Sequence, residues 1–73
     1  MNMSEPDLVE AVRAGLLALQ DYRGAWTRVR EDAGVSWTTL YRVASKVRKG
    51  HKYDVLRRIQ AAVVAEQARH AKA

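Results

Sequence analysis

Three glycines, Gly24, Gly34 and Gly50, divide this chain into segments whose apolar residues recur every three or four positions. That spacing builds one-sided helices, and no segment shows the strict alternation of a half-buried strand, so an all-α fold is expected. A first helix is predicted from about Glu5 to Tyr22, with Leu8, Val12, Leu16 and Leu19 on one face and Leu17 off it. Ser4-Glu5-Pro6-Asp7 opens it: the serine oxygen can satisfy a free amide, and the acids suit the positive end of the helix dipole. Gly24 is expected to end this helix and lead into a second, from about Ala25 to Ala33, with Trp26, Val29 and Ala33 inward. Ser36 is a good N-cap for a third helix through about Lys46, with Leu40, Val43, Ala44 and Val47 as its apolar stripe. A basic loop over 48–52 then precedes a fourth helix, from about Tyr53 to Ala68, that buries Tyr53, Leu56, Ile59 and Val63. The tail over about 69–73 is expected to fray.

The chain has 73 residues, enough for one domain that buries about 60% of its unfolded surface and too few for a large catalytic cleft. It contains no cysteine. A disulfide staple, a thiolate metal site and a thiol nucleophile are thereby excluded, and the core must hold by packing or by oligomerisation. The longest uncharged stretch, Ala33 to Tyr41, is well short of the roughly 18 apolar residues of a membrane span. Glu5, Asp7 and Glu10 stand where a secretory leader needs basic and then apolar residues, so a cytoplasmic location is expected.

The net charge of +5 is unevenly distributed. Residues 1–22 carry a net −3, residues 23–58 a net +7, and the remainder +1. The aromatic residues go with the basic stretch: Trp26, Trp37, Tyr41 and Tyr53 lie within it and Tyr22 immediately before it. Cations interleaved with rings suit a nucleic-acid surface, because the cations displace counterions from phosphates while the rings pack on bases or sugars.

The joint Ala33-Gly34-Val35-Ser36 is the most informative motif. Glycine fits there because the residue that ends a helix before a tight turn usually needs positive φ. Val29 and Ala33 before it, and Val35, Leu40 and Val43 after it, have the spacing that seals two crossed helices against a third. In these residues the chain resembles the lambda-repressor-like, Cro-type helix-turn-helix regulators, particularly small phage-type proteins whose second helix begins with tryptophan and whose turn reads Gly-Val-Ser. The motif spans 26–45 and the resemblance covers roughly 22–65. Arg30 stands where the family usually has alanine, and the loop has Gly50-His51-Lys52 in place of the usual proline and serine.

The resemblance implies a compact bundle of four helices, or five, forming a single helix-turn-helix domain over residues 1–73. It also implies a third helix that enters the major groove of double-stranded DNA. Projection at 100° per residue sets Thr38, Tyr41, Arg42 and Ser45 opposite the apolar stripe, with Trp37 at the border. In the resembled family the first residues of this helix and those one turn on touch base edges, which implies Trp37, Thr38, Tyr41 and Arg42 as the candidate base readers; Arg42 is the foremost because its fork can donate to both guanine acceptors. Thr27, Ser36, Ser45, Lys46, Arg48, Lys49 and Lys52 are the candidate phosphate ligands. The expected function is that of a transcriptional regulator, a repressor that acts by occupying its operator.

A single small module reads few bases, so a homodimer is expected, with the off-face aliphatics Leu17 and Val64 as candidate contacts. The same two residues suit the competing reading, a small phage-type helical adaptor that binds a host protein. Catalytic sets are missing. His51 and His70 are too far apart in sequence for helical metal spacing, and the adjacent Glu31 and Asp32 diverge by about 100° on a helix. No enzymatic activity, cofactor, metal, membrane or small-molecule substrate is expected.

Overall fold

The computed structural model describes residues 5–45 and 50–71. Among them are four helices and no strand: α1 (Glu5–Leu19), α2 (Ala25–Ala33), α3 (Trp37–Ala44) and α4 (Tyr53–His70). α4 packs against both α1 and α2, and α3 packs against α1. One core joins the four. Leu8, Val12, Leu16 and Leu19 meet Val29, Ala33, Leu40, Val43, Leu56, Ile59 and Val63, as their periodicity predicts. Val9 joins them, one heptad before Leu16.

α1 and α4 approach closely at Gly15, where a Cβ would lie 2.5 Å from Val63 Cγ1. The short, β-branched valine cannot swing aside, so only glycine allows this spacing.

Several boundaries differ from expectation, each for a local reason. α1 stops at Leu19 and not at Tyr22, because the Gln20 amide bonds the Leu17 carbonyl at 3.3 Å and tightens the last turn. At this end of the helix the indole Nε1 of Trp26 donates to the Leu16 carbonyl at 2.8 Å. Gly24 consequently does not end α1; with φ 78° it is the N-cap of α2. α3 ends at Ala44 because Ser45 turns extended, its hydroxyl donating to the Arg42 carbonyl at 2.8 Å.

α4 runs on to His70 where fraying was expected, since His70 is hydrogen-bonded to Glu66 and stacked on Tyr22. Tyr53 is not core: it is 48% exposed, with the Arg57 guanidinium 5.9 Å from its ring centre. Two successive steps of three residues, from Ile59 back through Leu56, rotate Tyr53 about 120° away from the buried face. Ser4, Lys46, Val47, Arg48 and Lys49 lie outside the described residues. Among the described residues no helix is long and apolar enough to cross a membrane.

Candidate nucleic-acid interface

The link between α2 and α3 sets the geometry of the candidate surface. Gly34 adopts φ 68°, its amide bonding the Arg30 and Glu31 carbonyls at 2.9 and 3.2 Å, while the Val35 amide bonds the Arg30 carbonyl at 3.2 Å. This is the paired closure of a left-handed helix end, and a side chain at Gly34 would be strained in it. Two residues later Ser36 starts α3, its Oγ accepting the Thr39 amide at 3.2 Å and lying 3.0 Å from Thr39 Oγ1. The predicted turn and cap are both present.

With Leu40 and Val43 buried, α3 turns Trp37, Thr38, Tyr41 and Arg42 outward together. Trp37 is 38% and Tyr41 56% exposed. The two rings stack, with centroids 5.7 Å apart and planes at 25°, and Tyr41 also meets Trp26 at 5.7 Å and 50°. Arg30 lies beside this cluster. Its guanidinium is 5.2 Å from the Trp37 ring centre and its Nη1 donates to the Val35 carbonyl at 3.5 Å. The long side chain thus spreads over the turn. Arg30 and Trp37 are seven residues apart across a change of helix direction, so no helical period links them in the sequence.

Two clefts flank α3. One, of about 340 Å³, is lined by Gln20, Tyr22, Arg23, Gly24, Trp26, Thr27 and Tyr41. It brings the exposed Thr27, in the first turn of α2, beside the α3 surface. The other, of about 260 Å³, lies between α3 and the start of α4 and is lined by Thr39, Arg42, Gly50, His51, Lys52 and Val55. Lys52 and Arg42 therefore share a cleft, while Ser36 and Ser45 mark the two ends of α3. Arg23, Thr39 and His51 were not among the predicted site residues. Of the predicted phosphate ligands, Lys46, Arg48 and Lys49 fall outside the described residues.

Leu17 is 38% and Val64 52% exposed, as their off-face positions predict. They do not adjoin the α3 surface in either cleft.

A polar cluster links α2 and α4. Glu66, only 2% exposed, takes three hydrogen bonds from Arg28: Nη2 at 2.5 Å, and Nε at 2.9 and 3.0 Å. His70 Nε2 lies 2.8 Å from the same carboxylate, and the Tyr22 ring stacks on the imidazole at 3.9 Å. The Arg28 bonds, reinforced by His70, outweigh the burial of the carboxyl and hold it down to about 2. The same bonds raise Arg28. This cluster ties α2 to the end of α4, and its members were not linked by sequence reasoning. A signal for Glu66 was present nevertheless: seven residues beyond Ile59, it lies about 20° from the centre of the buried face.

Among the described residues no group of three or more His, Asp or Glu could hold a metal ion. Comparison of the chain with family models, with curated proteins and with solved structures finds no match, and function is to be read from these side chains.

Proposed function

We propose that this chain is a sequence-specific double-stranded DNA-binding protein that regulates transcription, a repressor that acts as a homodimer by occupying its operator. The observation that carries the reading is the outward face of α3. Trp37, Thr38, Tyr41 and Arg42 project together from a helix that follows a glycine-closed turn and is held by Leu40 and Val43. A major groove admits one helix, and the residues of its first two turns are the ones that reach base edges.

The flanking clefts support the same reading. Each cleft beside α3 is lined by polar side chains that can donate to phosphate: Thr27 and Arg23 on one side, Lys52 and His51 on the other. The net +7 of residues 23–58 supplies the attraction to phosphate.

The direct test is a mobility shift of the purified protein on a randomised duplex pool at two salt concentrations, with sequencing of the retained fraction. A two-fold symmetric motif with half-sites about 10 base pairs apart is expected. Arg42→Ala is expected to cost about 1–3 kcal/mol of discrimination at one base position. Equal losses on selected and random DNA would remove Arg42 from its role.

The exposure of Leu17 and Val64 favours a second reading, a helical adaptor that binds another protein. No retention of DNA at low salt decides for it.

A further inference from the structure

The outward face of α3 carries two different chemistries. Arg42 offers a cationic fork, whereas Trp37 and Tyr41 present mainly apolar ring surface. Base edges in the major groove are almost entirely hydrogen-bond donors and acceptors; the apolar exception is the 5-methyl group of thymine. An apolar platform facing that groove has one natural counterpart.

The platform is held in place before any partner arrives. Trp26 is anchored through its indole N–H to the Leu16 carbonyl. Tyr41 leans on Trp26, Trp37 stacks on Tyr41, and the Arg30 guanidinium lies over Trp37. Each ring restricts the next, so little side-chain freedom remains to be lost on binding. A purely structural role, joining α2 to α3, would bury these rings. Tyr41 instead keeps more than half of its surface in solvent.

We infer that the stacked Trp37–Tyr41 pair reads the 5-methyl group of thymine, making the chain select DNA with thymine beneath the first two turns of α3. The inference rests on the DNA-binding reading above and adds to it the chemical group recognised. It assigns Tyr41 as the principal contact and Trp37, itself held by Arg30, as the second ring of the platform.

The test uses the full chain and the duplex enriched from the randomised pool, synthesised once with thymine and once with deoxyuridine at every thymine. The two differ only in the methyl groups. Anisotropy titration at one salt concentration is expected to give about fourfold weaker binding of the uracil copy per contacted methyl. Tyr41→Ala should bring the ratio between the two copies near one, Tyr41→Phe should keep it, and Arg42→Ala should keep it while weakening both copies. Tyr41 is exposed, and an unchanged helical circular dichroism spectrum identifies variants that fold. Equal affinity for both copies in the unmodified chain overturns the inference and leaves DNA binding intact. A ratio that survives Tyr41→Ala also overturns it. Failure to retain any duplex at low salt removes the DNA-binding reading and this inference together.

Discussion

The two polar structures that hold α2 differ in how they are made. At its C-terminal end, the corner through Gly34 and Ser36 is built from contacts no more than five residues apart: the glycine closure, the serine cap, and Arg30 reaching the Val35 carbonyl. Near its N-terminal end, Arg28 is held by Glu66, 38 residues away, and Glu66 by His70. The corner depends on backbone conformation and is indifferent to protonation. The Arg28–Glu66 lock depends on charge, and it exists only when the whole bundle has brought α2 and α4 together. Short-range chemistry shapes the outward surface, while a long-range ion pair fixes the helix behind it.

Both depend on one core, and the most severe way to break the comparison is to damage that core. Leu40→Ala, which unmoors α3, is expected to cost about 2–5 kcal/mol. Corner and lock should then melt in a single transition by tryptophan fluorescence and by circular dichroism. Two separated transitions would mean that the corner opens independently.

Gly34→Val attacks the corner alone. Forcing a β-branched residue into the left-handed region costs about 2 kcal/mol, visible as a lower urea midpoint at any pH. An unchanged midpoint would contradict the positive φ.

Glu66→Gln attacks the lock alone, and its effect is expected to depend on pH. The folded carboxyl sits near 2 against an ordinary 4.5, so its contribution is complete above 4.5 and disappears as pH falls through 2. The melting temperature of the variant should lie below that of the parent at neutral pH, and the two should converge in strong acid. Parallel curves across that range would show that the carboxylate charge does not stabilise the fold.

The smallest effect is expected at Ser36. Ser36→Ala removes one cap bond, at a cost of about 1 kcal/mol by urea unfolding. Fraying confined to α3 would sharpen the contrast with Glu66→Gln, which loosens α2 against α4.

The corner could be read in the sequence and the lock could not, for the same physical reason. Gly34 and Ser36 act on their own backbone neighbours, so residue type and spacing suffice to predict them. The inward faces of the helices were likewise legible, because each follows a helical period through Leu16, Val29, Leu40 and Ile59. Arg28 and Glu66 become partners only through tertiary packing. Glu66 nonetheless lies on the buried face by period, and an acid at a core position signals a partner to be found. The early end of α1 escaped prediction for a related reason: it is completed by Trp26, whose indole reaches back ten residues to the Leu16 carbonyl. Of the candidate site, the outward set on α3 was legible from its period. The Arg30–Trp37 contact was not, since it crosses from one helix direction to another.

The indole anchored at Leu16 gives the molecule a built-in optical contrast. Its two tryptophans lie on either side of the same turn, one with its N–H tied to a carbonyl and the other open to water beneath a guanidinium. A collisional quencher such as acrylamide should reach the exposed Trp37 more readily than the partly buried Trp26. A partner that covers α3 should therefore reduce the quenching of Trp37, the more exposed of the two. Unfolding should make both tryptophans quenchable, so occupancy of the α3 surface and loss of the fold can be told apart in one cuvette without a label.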